Sequence, residues 1–244
     1  MRLSTEALLM LVAVALYLFD SLLLLASNEA VLVRGWRGHW FARFGLDRWR
    51  LGGKEPYLSN PATPHFPLWR LRWSFDEAAG EAVAPAGPLA VPRELERFKL
   101  HALISLILIY GLVPIVLFYP VGIEYPIAVV AVLYLNIVVA IVRLFRVRAA
   151  FALSSGQFAV LAFECMACPP FSVNLVRKLC LKLETDEDFT AAATRLLPAE
   201  ALPAVEAQCL RRLDEQIDYA EEGSNRMNRL LARRRRFVVD PVTS

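Results

Sequence analysis

A chain of 244 residues that is 57% hydrophobic and 21% charged exceeds the roughly 45–50% apolar content of ordinary globular domains. The surplus is unevenly distributed, which is what membrane-crossing segments beside charged, water-facing ones produce. A net charge of +3 gives nucleic acid no footing as a partner, and Gly52-Gly53-Lys54 lacks the spacing and the following Ser or Thr of a phosphate-binding loop.

The first apolar run, Ala7 to Ala26, holds one charge, Asp20. As a helix it covers roughly 30 Å, the thickness of a hydrocarbon core. A cleaved leader would carry a shorter apolar stretch, a net positive start and a small-x-small cleavage site. Here Glu6 offsets Arg2, and Leu25-Ala26-Ser27-Asn28 is a poor site. Residues 1–27 are therefore expected to form an uncleaved transmembrane helix, with Asp20 tying it to later helices through Ser105 or Arg143.

Residues 28–99 read as a cytoplasmic segment, first rich in Arg and Trp, then in Pro. Arg34, Trp36, Arg37, Trp40, Arg43 and Trp49 are expected to contact lipid or a partner, because indole rings favour the headgroup layer and guanidinium groups pair with phosphate. From Leu68 to Phe75 the alternation is strict. Trp69, Leu71, Trp73 and Phe75 share one face, and Leu68, Arg70, Arg72 and Ser74 the other, which is a strand period. A single strand needs a partner, and none is apparent in the sequence. Residues 76–92 read as an Ala/Pro/Gly linker.

Two further apolar runs, His101 to Tyr119 and Pro126 to Val142, are joined by only residues 120–125. So short a connection predicts an antiparallel transmembrane hairpin over residues 100–145, kinked at Pro114. Asn136 lies within the last run and serves as interhelical glue. Basic residues flank the runs on one side: Arg34 to Lys54, then Arg93, Arg97 and Lys99, then Arg143, Arg146 and Arg148. The hairpin tip carries Glu124 alone. Positive-inside bias thus predicts a bacterial-type cell inner-membrane protein, N-terminus outside and C-terminus cytoplasmic.

Residues 146–244 are expected to be cytoplasmic, membrane-associated helices. A fourth span over residues 149–168 is disfavoured by Gln157, Glu164 and the short basic connection before it. Cys165 and Cys168 form a CxxC pair that could hold a metal or act as a redox couple, although no second close pair completes a zinc signature. Packing as small hydrophobes is the simpler use. A later helix, about Pro203 to Glu222, places Val205, Cys209, Leu213, Ile217 and Ala220 on one stripe. Arg233, Arg234, Arg235 and Arg236 close a basic tail suited to anionic lipid.

The expected fold class is an all-α integral membrane protein: three transmembrane helices, a cytoplasmic helical C-terminal region and at most one small β element. The sequence names no cofactor and supplies no catalytic motif. The leading expectation for function is a non-enzymatic accessory or scaffold subunit that holds a protein partner or self-associates, motivated by the unpaired strand and the apolar stripe. A thiol protein centred on the CxxC pair and anionic-lipid handling at the inner leaflet are the alternatives.

Overall fold

The computed structural model describes residues 4–46, 49–74, 93–119, 122–183 and 187–239; the side chains of residues 37 and 236–239 are not described. The expected linker 76–92, strand end Phe75 and hairpin residues Pro120 and Val121 lie outside the described residues. Two units interleave along the chain. Met1–Leu23, Leu58–Pro67 and Val91–Leu183 form the first, and Leu24–Tyr57, Leu68–Ala90 and Glu184–Ser244 the second.

The first unit is helical. Helix α1 spans Thr5–Asp20, and the Ser4 hydroxyl accepts the Ala7 N–H at its start, satisfying one of the orphan donors of a helix N-terminus. It stops at Ser21, whose hydroxyl donates to the Tyr17 carbonyl at 2.8 Å, while the Ser21 carbonyl accepts from both the Ser59 N–H and the Ser59 hydroxyl. The backbone group that would have carried the helix onward is thus committed elsewhere.

Helix α2 runs Leu95–Phe118 and α3 Glu124–Val147. Within α2, a π-helical turn at Leu108–Leu112 immediately precedes Pro114. Proline has no N–H to continue the α ladder and its ring crowds the preceding carbonyl, so the widened turn absorbs the misfit. The facing sides of the pair are Phe98, Ala102, Ser105 and Ile109 on α2 against Leu133, Asn136, Ile137, Ala140 and Leu144 on α3, all buried at helical spacing. Leu100, Ile107, Leu135, Val139 and Val142 point away and are exposed. Three shorter helices follow: α4 (Ser155–Ala167), closed by a Ser154/Gln157 capping box, α5 (Pro170–Val173) and α6 (Leu175–Lys182). Helix α4 packs on α3 and α5 and at 13 residues is about 20 Å long, too short to cross a bilayer.

The second unit is built on strands. A two-stranded ribbon pairs β1 (Leu22–Leu25) with β4 (Glu55–Leu58). A three-stranded antiparallel sheet, in the order β3-β2-β5, consists of β2 (Glu29–Arg34), β3 (Trp40–Arg43) and β5 (Leu68–Arg72). Its inner face carries Trp40, Leu32, Trp69 and Leu71, with the Trp40 and Trp69 rings 5.1 Å apart and tilted at 53°. Helix α7 (Phe189–Leu196) covers that face through Phe189, which meets Trp73 at 5.5 Å and Phe44 at 5.6 Å. Asp188 caps this helix at Thr190 N and also accepts the Ser74 N–H. Helix α8 (Leu202–Asp218) buries the predicted stripe at Val205, Cys209 and Leu213, and α9 (Asn225–Val239) packs along it. Arg212 of α8, 1% exposed, bonds Glu55 and lies over the Phe44 ring at 5.0 Å.

The all-α, three-span expectation is overturned on both counts. Among the described residues five strands form two sheets, because Leu22–Leu25 leaves the helix as β1 and the Arg/Trp segment contains β2 and β3. Among the described residues two helices, not three, are long and apolar enough to cross a bilayer: Leu95–Phe118 and Glu124–Phe151, with mean hydropathies of 2.4 and 2.6. Helix α1 has 16 residues, about 24 Å. Only 28% of each qualifying window is buried, whereas a core helix of a water-soluble protein is mostly covered. The pair therefore points to membrane association.

Candidate functional site

Buried polar groups concentrate where α2 meets α3. His101 Nδ1 lies 2.7 Å from Asn136 Oδ1, and the Asn136 amide donates to the His101 carbonyl at 3.1 Å and to the Ser105 hydroxyl at 3.0 Å. The Ser105 and Ser172 hydroxyls are 3.0 Å apart. On the other side of the ring, Arg143 Nη1 sits 3.0 Å from His101 Nε2. Arginine can only donate, so Nε2 accepts and the proton resides on Nδ1, facing the Asn136 carbonyl oxygen. A cavity of about 10 Å³ adjoins His101, Asn136, Cys165 and Ser172, room for at most a single water. The network binds α2, α3 and α5 together.

Asp20 is paired, but with neither Ser105 nor Arg143. Its carboxylate lies 2.8 Å from Lys178 Nζ and accepts from the Asn174 amide at 3.0 Å. Lys178 also reaches Glu164 at 2.8 Å and stands 4.4 Å from the Phe171 ring centre. Next to it, Arg177 donates to the carbonyls of Asn60 and Thr63, pinning the proline-rich loop. Asp20 thus joins α1 to α6 instead of to the hairpin, an assignment the sequence missed because Lys178 and Asn174 lie more than a hundred residues away.

At the basic end of the hairpin, about one to two turns beyond His101 and two to three beyond Asn136, a pocket of about 240 Å³ opens between Glu94, Arg97 and Phe98 of the α2 end and Arg143, Arg146 and Val147 of the α3 end. Glu94, Arg97, Phe98 and His101 recur at helical spacing on one face, as do Arg143, Arg146 and Val147. Three arginines and one carboxylate thus share the lining of a pocket whose floor is apolar. The sequence carried this signal in its spacing, yet the arginines read there only as markers of orientation.

In the second unit, the sheet register sorts the Arg/Trp segment. Arg43, Val31 and Arg70 align across β3, β2 and β5, and Phe41, Val33 and Leu68 form the adjoining row. Arg72 pairs with Glu29 in a third row. Phe41, Arg43, Arg70 and Arg72 are exposed on this outer face, with Arg43 and Arg70 about 10 Å apart by strand spacing. Trp36 and Trp49 stand off the same segment, 73% and 68% exposed. Trp40 instead faces the inner layer, and Arg34 shares its side of the sheet. The Arg37 side chain lies outside the described ones. Glu29, buried beneath Arg72, is subject to opposing effects. Burial by itself would raise its carboxyl, but the Ala26 N–H at 2.9 Å and the Arg72 guanidinium at 2.7 Å outweigh it and hold the group below the usual carboxylate range.

The C-terminal arginines are partly engaged. Arg234 bonds Asp214 at 2.5 Å, Arg226 bonds Gln216, Arg233 is half-buried and Arg235 exposed; the Arg236 side chain lies outside the described ones. Cys165 is buried and Cys168 half-buried, both with free thiols. Burial pushes the Cys165 thiol up to about 12, which makes it a weak nucleophile at neutral pH. Among the described residues no cluster of three or more His, Cys, Asp or Glu is arranged to hold a metal. Comparison with family models, curated proteins and solved structures finds no match to the chain.

Proposed function

We propose that the chain is a non-enzymatic protein of the cell inner membrane that engages anionic lipid at the cytoplasmic leaflet. The observation that carries this reading is the outer face of the three-stranded sheet. There Arg43, Arg70 and Arg72 share one face of the sheet with Phe41, and Trp36 and Trp49 of the same Arg/Trp segment are exposed. Cationic groups interleaved with exposed aromatics suit a headgroup layer, because arginine pairs with phosphate while indole and phenyl rings enter the acyl boundary. The hairpin supports the same placement, since Arg97, Arg143 and Arg146 lie at one end of α2 and α3 and only Glu124 at the other. The expected N-terminus outside rested on the first run crossing the bilayer; with α1 at 16 residues the proposal is confined to the hairpin and the C-terminal side.

Emission from the exposed tryptophans tests the lipid reading. The other three tryptophans are buried or half-buried, so Trp36 and Trp49 dominate any change. In nanodiscs of neutral phosphatidylcholine the emission is expected to be red. Adding a minority of phosphatidylglycerol should shift it to the blue, an effect that salt reverses and that a chain carrying Arg43→Gln and Arg70→Gln does not show. Identical emission in both discs would contradict the reading.

A second reading is an accessory subunit that holds a protein partner. Its original motives find uses within the chain: β5 pairs with β2, and α8 buries its stripe. What now favours it is β3, an edge strand of the sheet, where a partner segment could add by backbone pairing. Gentle extraction that brings down no stoichiometric polypeptide would remove it.

A further inference from the structure

We infer that the pocket at the basic end of the hairpin is a binding site for one phospholipid headgroup, recognised through its phosphodiester. This deepens the proposed function, and rests on its reading that α2 and α3 cross the bilayer with their basic ends at the cytoplasmic leaflet. The pocket measures about 240 Å³ and gathers Arg97, Arg143 and Arg146 around Phe98 and Val147, with Glu94 at the rim. Three like charges lining one concavity favour an anion there. Guanidinium forks match phosphate oxygens in geometry as well as charge.

The three arginines are not equivalent. Arg143 already donates to His101 Nε2 at 3.0 Å, so one fork is oriented by the buried His101–Asn136–Ser105 network before any ligand arrives. Arg97 and Arg146 are exposed and free to close over a bound phosphate. The floor distinguishes a lipid from free phosphate. Phe98 is buried and shares the pocket lining with Val147, and the outward sides of both helices next to it are apolar and exposed. An inorganic anion has no use for such a floor, whereas the glycerol and first methylenes of a lipid would cover it. Glu94 sets the charge the pocket accepts. One carboxylate against three guanidinium groups leaves room for the single negative charge of a phosphodiester and disfavours a doubly charged phosphomonoester.

Native mass spectrometry of the full chain, reconstituted in mixed phosphatidylcholine and phosphatidylglycerol and then extracted gently, tests this. The expected spectrum retains one phosphatidylglycerol per chain in preference to phosphatidylcholine. The double change Arg97→Gln with Arg146→Gln should lower the retained fraction about tenfold or more, without lowering thermal stability, because both side chains are exposed. The sheet variant Arg43→Gln/Arg70→Gln should retain lipid as the wild type does, so failure of the pocket and failure of the sheet contact are read separately. Excess inorganic phosphate should leave the lipid bound, and Glu94→Gln should raise the share of phosphatidic acid when that lipid is offered. Unchanged retention in the Arg97/Arg146 variant, equal retention of phosphatidylcholine, or displacement by inorganic phosphate would each overturn the lipid site. No gain of phosphatidic acid in Glu94→Gln would overturn the diester preference.

Discussion

Glu29 illustrates how a single side chain links the sheet to its charged outer face. Its carboxylate is buried, accepts the Ala26 N–H and meets Arg72, and those two contacts hold its pKa below the ordinary value of 4.5. A carboxyl depressed on folding stabilises the native state fully above its unfolded pKa and loses that contribution as pH falls through the folded one. Glu29→Gln should therefore be less stable than wild type at neutral pH, with the gap closing once the pH drops below about 4.5. Thermal melts of both proteins across that range check it, and a gap that stays constant down to strongly acid pH would remove the assigned role. The strand alternation through Arg70 and Arg72 was legible in the sequence, including which residues face outward. Glu29 as their buried neighbour was not, because the pairing joins β2 to β5 across the whole of β3 and β4.

At the scale of elements, composition and structure part company in two places. Hydropathy reads Ala7 to Ala26 as one run, but the helix ends at Ser21, where Tyr17 and Ser59 take up its hydrogen-bonding groups. Leucine serves a helix or a strand equally at the level of apolar content, so Leu22–Leu25 gave no warning. The Val31-Leu32-Val33 core of β2 was obscured by the surrounding Arg, Gly and Trp, whose abundance suggested interface and not strand. The two long helices, by contrast, were legible, since two apolar runs joined by six residues admit few other arrangements, although the π-helical turn before Pro114 was not. Asn136 is the pair's internal fastener, bonding His101 twice and Ser105 once. Asn136→Leu should lower stability in detergent by about 0.6–1.7 kcal/mol, the measured range for interhelical polar contacts. Steric trapping or thermal unfolding would read it, and a variant as stable as wild type would mean the network merely fills space.

For the whole molecule, the account depends on α2 and α3 lying across a bilayer with their arginine-bearing ends on the cytoplasmic side. The headgroup pocket takes its leaflet from that placement. The observations behind it are two helices of sufficient length and hydropathy, their largely uncovered flanks, and basic residues at one end only. The most direct measurement is labelling of single cysteines by a membrane-impermeant maleimide, in a background with the four native cysteines replaced. Ile123→Cys probes the exposed hairpin tip, and Gly156→Cys the start of α4, where a new side chain meets nothing within 4 Å. The account predicts that Ile123→Cys labels in intact cells and Gly156→Cys only after the inner membrane is permeabilised. Labelling of both in intact cells, or of Gly156→Cys alone, would contradict it.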